Sequence, residues 1–405
     1  MERRSTIFAL SSARGRAGVC VFRISGPAAG AAVGTLTGRA PPEPRHAALR
    51  DFSLADGTLI DRGLLLWFPV PHSFTGEDVA ELHLHGGPAI IAAMTRRLGE
   101  IDGLRPADPG EFTRRAFTNG KFDLTEAEGL ADLIAAETEQ QRRLALRQVQ
   151  GALKELYERW RTELVRGLAH LEASIDFADE ELPDDLIAGV CAGVGRLAKE
   201  IASHLADDRR GEIVRDGFTV VILGAPNVGK SSLLNALARR EAAIVSAIPG
   251  TTRDPIEVDL DLGGYVVTLI DTAGLRDTTD VIETEGIKRA RAKAQVADLR
   301  LGVVDGARTP EIDSRVSREL STHDAVLINK CDAMQDRTVP AIASRDGDAL
   351  RTMRVSALTG EGIDELLAWL EAQVVTRAGG SESMPMTRAR SAASPAASMS
   401  KISST

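Results

Sequence analysis

One segment, Gly224-Ala-Pro-Asn-Val-Gly-Lys-Ser231, constrains this chain more than any other. It follows the apolar run Phe218-Thr-Val-Val-Ile-Leu223 and precedes Ser232-Leu-Leu-Asn-Ala-Leu-Ala238, so it reads as a loop between a buried strand and a helix. Backbone N–H groups of such a loop, and the helix N-terminus behind it, face phosphate oxygens. From this loop Lys230 reaches β- and γ-phosphates, and the Ser231 hydroxyl is a ligand for Mg²⁺. The same setting demands strands that alternate with helices in a doubly wound sheet.

Four further segments follow in the order of a guanine-nucleotide domain. Gly250-Thr-Thr-Arg253 stands where a segment that reports the γ-phosphate belongs, with Thr252 as a second candidate Mg²⁺ ligand. Asp271-Thr-Ala-Gly274 closes the strand Tyr265-Val-Val-Thr-Leu-Ile270; its carboxylate suits a Mg²⁺-bound water, and the Gly274 N–H suits the γ-phosphate. Asn329-Lys-Cys-Asp332 ends the strand Ala325-Val-Leu-Ile328. Asp332 can accept two hydrogens from the N1 and N2 edge of guanine, which adenine does not present. A buried carboxylate left without donors is costly, so the loop selects GTP over ATP. Lys330 packs its stem along the base and braces the loop. Ser356-Ala-Leu358 completes the set and has weight only beside the others. One position departs from the small signalling GTPases: Leu275 stands where they place a water-orienting glutamine. Leucine cannot orient water, so turnover is negligible or another group fills that role. Arg253 and Arg276 lie nearby and read as a solvated switch surface.

A length of 405 residues suggests two to three domains, and 43% hydrophobic residues are enough for real cores. The 49 basic residues against 58 acidic ones exclude a polybasic nucleic-acid coat. Any RNA contact falls to local pairs such as Arg96-Arg97, Arg114-Arg115 or Arg142-Arg143 with Arg147, each more simply a solvated helix face. Cys20, Cys191 and Cys331 lack metal spacing and suit a reducing cytoplasm. No signal core and no apolar run near ~18 residues is present, so neither export nor a membrane span is expected. Residues 1–120 mix short strands with turns as an α+β domain. Residues 121–215 read as helical: Thr125 to Glu128 fits a capping box, and Leu144, Leu146, Val149, Leu153, Leu156, Trp160, Leu164 and Leu168 form a stripe read as bundle core, up to an acidic break from Asp176 to Pro183. Residues 216–375 are the nucleotide domain, ending in a helix from Gly362 to Glu371, and residues 376–405 read as a disordered tail. The fold class is multidomain, α+β with helical and α/β parts.

These motifs resemble one family. Asn227, Ile248-Pro-Gly-Thr-Thr-Arg-Asp254 and Asp271-Thr-Ala-Gly-Leu-Arg276 are similar to the tRNA-modifying GTPase family MnmE (TrmE). Phe22-Arg-Ile-Ser-Gly26, Ser73-Phe-Thr-Gly-Glu-Asp78, His85-Gly-Gly-Pro88, Pro109-Gly-Glu-Phe-Thr-Arg-Arg-Ala-Phe117 and Asn119-Gly-Lys-Phe-Asp-Leu124 match that family's first domain. The resemblance implies a GTP site made by Asn227, Val228, Gly229, Lys230, Ser231 and Ser232, by Ser246, Ala247, Ile248, Pro249, Gly250, Thr251 and Thr252, by Asp271, Thr272, Ala273 and Gly274, and by Asn329, Lys330, Asp332, Ser356, Ala357 and Leu358. It implies Mg²⁺ on Ser231 and Thr252. It implies K⁺ on the Asn227 side chain and the backbone oxygens of Ser246, Ile248 and Thr251, standing where an arginine finger would. Glu283 would orient the attacking water in place of the missing glutamine, with Lys230 as the other catalytic residue. A 5-formyltetrahydrofolate-like one-carbon donor would sit on Arg23, Glu81 and Lys121: the cations suit the glutamate tail, the acid suits the pterin's donor edge. The expected assembly is a homodimer, joined in a heterotetramer with MnmG (GidA), acting on the wobble uridine of tRNA without a membrane.

The pattern breaks at one end. The family returns to long helices after its nucleotide domain and finishes in Cys-Ile-Gly-Lys, which residues 376–405 do not reproduce. Uncovered apolar surface is therefore expected within residues 124–210. Two other readings stay open: a GTP switch that docks on RNA or the ribosome without modifying it, and a folate-binding scaffold with an idle nucleotide domain.

Overall fold

The computed structural model describes residues 5–13, 15–176, 186–205, 209–240, 242–244, 257–271, 297–308, 317–334, 342–345 and 347–379. These form two compact units, one running to Ala127 and one starting at Glu128.

The first unit carries strands β1 (Thr6–Leu10), β2 (Ala17–Ser25), β3 (Ala48–Ser53), β4 (Leu59–Phe68), β5 (Val79–Gly86) and β6 (Leu104–Pro106), in the spatial order β3-β4-β5-β2-β1-β6. Neighbours are antiparallel except β1 and β6. Alternation along β2 and β5 buries Cys20, Phe22 and Ile24 beside Ala80, Leu82 and Leu84. Helices α1 (Ala29–Thr37) and α2 (Pro88–Gly99) close this face with Val33, Leu36, Met94 and Leu98. Each such side chain contributes about 1.5–3 kcal/mol when fully removed from water. The period of two turns Arg23 and Glu81, paired in register, to the other face. Helix α3 (Glu111–Thr118) follows.

Helix α4 (Leu124–Ala135) corrects one expectation. Its cap is Asp123, not Thr125: Asp123 Oδ1 accepts from the Glu126 N–H at 2.9 Å, and Glu126 Oε2 accepts from the Asp123 N–H at 2.7 Å. The reciprocal spacing is the same, moved two residues earlier, because aspartate also caps. A comparable lock recurs at α5 (Glu139–Val149), where Gln141 Oε1 accepts from the Thr138 N–H at 3.2 Å.

Helices α6 (Ala152–Asp176), α7 (Leu186–Leu205) and α8 (Arg210–Asp216) precede the second sheet. The apolar stripe is core only in part. Leu144, Leu153 and Trp160 are buried, whereas Leu164 and Leu168 are 49% and 56% exposed. Helix α7, with a smaller contact from α5, covers only part of α6 among the described residues. Leu144, with Ile213 and Val214 of α8, belongs instead to the core of the second sheet. The acidic break lies, from residue 177 on, outside the described residues.

That sheet runs β12-β11-β10-β7-β9-β8, with β7 (Phe218–Gly224), β8 (Glu257–Leu262), β9 (Tyr265–Asp271), β10 (Leu299–Asp305), β11 (Ala325–Asn329) and β12 (Arg351–Arg354). All pairs are parallel except β8 with β9. Every residue of β9 and β11 is buried, as continuous apolar runs in a doubly covered parallel sheet should be. Helix α9 (Lys230–Ala238) follows β7, and α10 (Ile363–Ala378) closes the described chain. α10 runs past Glu371, because Val374 and Ala378 continue the buried face, and Gly379 at φ +83° ends it. Residues 380–405 of the expected tail lie outside the described residues. Among the described residues, no helix is long and apolar enough to cross a membrane.

Candidate functional site

The site gathers at the carboxyl ends of the parallel strands, where α/β sheets bind ligands. Strand β7 delivers the chain to Gly224, whose backbone passes so close to β10 that a Cβ would stand 2.6 Å from the Val303 carbonyl oxygen. The loop then bends through two left-handed residues, Asn227 at φ +65° and Gly229 at φ +94°, before α9 begins. Lys230, only 5% exposed, folds its Nζ back onto the carbonyl oxygens of Gly224 at 3.0 Å and Ala225 at 2.9 Å. An ammonium held there stands over the loop whose N–H groups would meet phosphate.

Ser231 Oγ donates to Asp271 Oδ2 at 2.7 Å. Asp271 is 2% exposed at the end of β9. A hydroxyl oxygen and a carboxylate are hard donors from two elements, which is what Mg²⁺ prefers beside a nucleotide's phosphates. The chemistry of this pair fits that ion.

The segment expected to recognise the base is braced from three sides. Asn329, 1% exposed, donates from Nδ2 to the Val228 carbonyl oxygen at 2.9 Å and accepts at Oδ1 from the Ala357 N–H at 3.2 Å. One asparagine thus ties the phosphate loop to the segment Ser356 to Leu358. Ser356 Oγ donates to Asp332 Oδ1 at 2.5 Å, which orients the carboxylate expected to read guanine. Lys330, at φ +61°, donates from Nζ to the Asn227 carbonyl oxygen at 3.1 Å and to Asp305 Oδ2 at 2.7 Å. Burial pushes the Asp305 carboxyl up, but the Lys330 ammonium and the Ala307 N–H outweigh it and hold it below its ordinary value. Sequence reasoning passed over Asp305. Its signal was position alone: a polar residue ending a parallel strand, level with Asn329 of β11.

The structure brings Asn227, Val228, Gly229, Lys230, Ser231 and Ser232 together with Asp271, Asn329, Lys330, Asp332, Ser356 and Ala357; Leu358 points outward, 86% exposed. Ser246, Ala247, Ile248, Pro249, Gly250, Thr251, Thr252, Thr272, Ala273, Gly274 and Glu283 lie outside the described residues. Leu275, Arg253 and Arg276 do as well.

In the first unit, Arg23 holds Glu81 Oε1 with both Nε at 2.9 Å and Nη2 at 2.8 Å. The guanidinium lies over the Phe74 ring at 5.0 Å and the Phe112 ring at 5.8 Å. Phe74 meets Phe122 at 5.6 Å, and Lys121, next to Phe122, donates to the Pro71 carbonyl oxygen at 3.0 Å. Arg23 and Glu81 are thus brought together, with Lys121 reached through aromatic rings that the sequence reading did not single out. Arg115, expected on a solvated face or at RNA, is largely withdrawn from solvent instead, its side chain 12% exposed. It pairs with Glu77 and Glu111, both at 2.9 Å. Arg142 and Arg143 both pair with Glu139.

Comparison with known proteins agrees along the chain. The family model described as the GTP-binding protein TrmE N-terminus matches residues 6–121, and the MnmE helical domain model matches residues 124–403. The tRNA modification GTPase MnmE of Paramagnetospirillum magneticum is 54% identical over 387 residues, covering 95% of this chain and 86% of its own length. The mitochondrial 5-taurinomethyluridine-[tRNA] synthase subunit GTPB3 of Danio rerio is 48% identical over 407 residues, covering 95% of this chain and 81% of its own length. The FeoB G-domain of Methanococcus jannaschii is similar over 39% of this chain and 97% of its own, at 19% identity and a TM-score of 0.26, a likeness too weak to build on. With both family models matched in order and more than half of the aligned residues identical to an MnmE protein, the chain belongs to the MnmE (TrmE) family.

Proposed function

We propose that GTP turnover by this tRNA-modifying GTPase depends on potassium, and that it serves, with MnmG (GidA), to build a carboxymethylaminomethyl-type group at position 5 of the wobble uridine of certain tRNAs. The observation that carries this reading is the 54% identity to a tRNA modification GTPase over 95% of the chain. The bracing of Asp332 and Lys330 around a phosphate loop supports the guanine-nucleotide part.

In this reading the loop N–H groups take the phosphates, and Lys230 exchanges the Gly224 and Ala225 carbonyls for phosphate oxygens. Ser231, Asp271 and Thr252 hold Mg²⁺, which when bound neutralises phosphate charge. Asn227, with the backbone oxygens of Ser246, Ile248 and Thr251, holds K⁺, which supplies the positive charge that an arginine finger gives elsewhere. Glu283 positions the attacking water, and Asp332 discriminates the base. Arg23 and Lys121 take the carboxylates of a 5-formyltetrahydrofolate-like donor, and Glu81 takes its pterin edge. Arg23 and Glu81 would then exchange part of their mutual pairing for the ligand. Residues 1–120 serve folate binding and dimerisation, residues 121–215 the helical part, and residues 216–375 GTP hydrolysis. The protein works in the cytoplasm as a homodimer, within a heterotetramer with MnmG.

The test is GTP hydrolysis in potassium against sodium chloride at equal ionic strength. Potassium raises turnover by at least about tenfold, a small part of what a finger arginine supplies. Asn227→Ala and Glu283→Ala lose that gain. Equal turnover in the two salts would overturn the potassium mechanism. Analysis of wobble uridine in cells carrying only this chain separates modification from a GTP switch that leaves tRNA unmodified.

A further inference from the structure

We infer that Asp305 is a positioning residue for the nucleotide: it anchors Lys330, and through Lys330 it fixes the backbone of Asn227. The inference rests on the guanine-nucleotide reading of the site. Asp305 ends β10, between the strands that deliver the phosphate loop and the base-recognition loop. Its two carboxylate oxygens have separate tasks. Oδ1 accepts from the Ala307 N–H at 3.0 Å, which sets the carboxylate's orientation at the strand end. Oδ2 accepts from Lys330 Nζ at 2.7 Å, and the same ammonium reaches the Asn227 carbonyl oxygen at 3.1 Å. A lysine is a flexible four-carbon stem carrying a point charge, so a fixed partner is needed to aim it.

The strap joins two residues that bear unusual backbone. Asn227 and Lys330 both lie in the left-handed region, at φ +65° and +61°, which side-chain-bearing residues adopt reluctantly. Holding both ends at once joins the phosphate loop to the loop that recognises the base. Charge supports the arrangement, since the Lys330 ammonium keeps the Asp305 carboxyl below its ordinary value against the pull of burial. An asparagine at 305 would keep the shape and the Ala307 contact but remove the charge that aims Lys330. The strap then loosens, Asn227 loses its restraint, and nucleotide leaves faster.

The experiment measures release of a fluorescent GDP analogue from the full chain and from Asp305→Asn, Lys330→Met and the double variant. Asp305→Asn speeds release about tenfold, Lys330→Met at least as much, and the double variant no more than Lys330→Met alone. The potassium concentration for half-maximal turnover rises in Asp305→Asn, a readout that a residue of merely structural role would not move. Release from Asp305→Asn within about twofold of the parent overturns the inference. So does a further tenfold acceleration when Asp305→Asn is added to Lys330→Met, an arm that remains informative should the single variant fold poorly. A parent chain that binds no guanine nucleotide would sink the reading of the site itself; a parent that binds while Asp305→Asn binds equally tightly sinks only the role of Asp305.

Discussion

Gly229→Ala tests how the two recognition loops depend on each other. Gly229 lies at φ +94°, where an L side chain is strained, and holding alanine there costs about 1–3 kcal/mol. The added Cβ would also stand 2.3 Å from Asn329 Nδ2, well inside contact distance. That amide cannot simply swing away. It is 1% exposed, its Nδ2 is bonded to the Val228 carbonyl oxygen, and its Oδ1 is bonded to the Ala357 N–H. Displacing it leaves a buried donor unsatisfied, at about 1–3 kcal/mol. The two costs together come to about 2–6 kcal/mol. An empty loop can escape the strain by relaxing, so the penalty falls on nucleotide binding, which requires the loop's bound shape. The lower end of the range corresponds to a loss of about thirtyfold in affinity. Calorimetric titration with GDP measures it, with Gly189→Ala in α7 as a control, since nothing lies within 4 Å of a Cβ there. A Gly229→Ala dissociation constant within about threefold of the parent would refute the reasoning.

Two further outcomes follow from packing and charge. Glu111 is 3% exposed; burial pushes its carboxyl up, but Arg105, the Asp108 N–H and Arg115 outweigh that and carry it from 4.5 down to about 2. A depressed carboxyl stabilises the folded state above its unfolded value, and the contribution drains away as pH falls from 4.5 towards 2, about 3 kcal/mol in all. Urea unfolding of the full chain, read by hydrogen exchange in α3, loses that slope in Glu111→Gln; the same slope in both proteins would contradict it. Gly264, at φ +84° in the turn between β8 and β9, accepts from the Gln140 N–H at 3.2 Å, and a Cβ there would meet Gln140 Cγ at 3.1 Å. Gly264→Ala costs about 1–2 kcal/mol and speeds hydrogen exchange at the start of α5; unchanged protection there would count against the contact.

The parts of the fold legible in the sequence are those written locally. β9 and β11 are buried throughout and β7 nearly so, so they read as predominantly apolar runs, and the phosphate loop announces itself by glycine, lysine and serine at fixed spacing. What escaped depended on partners remote in sequence. Arg115 has a local partner in Glu111, four residues earlier, but its second partner, Glu77, lies 38 positions away and is brought to it only by the fold. Leu164 and Leu168 keep perfect core spacing, yet burial depends on what lies opposite, which periodicity does not record. Asp123 and Thr125 both open a capping pattern, and the choice between them is made where the chain enters the helix.

The site carries the same lesson further, because its motifs are satisfied by one another rather than internally. Asn329 of the base-recognition loop bonds to Val228 of the phosphate loop; Lys330 bonds to Asn227; Ser231 of the phosphate loop bonds to Asp271; Ser356 bonds to Asp332. Each motif read alone yields a list of side chains that could touch nucleotide. In the structure those side chains spend much of their bonding capacity holding neighbouring motifs in place. A network of this kind is worth more than the sum of its pairs, and removal of one member weakens groups that it never touches. Asp305 belongs to it through Lys330. For that reason the strand ends Asp271, Asp305 and Asn329 describe the site better than the list of motifs does: the sheet sets where β9, β10 and β11 end, with Asp305 and Asn329 level, and those ends hold the loops.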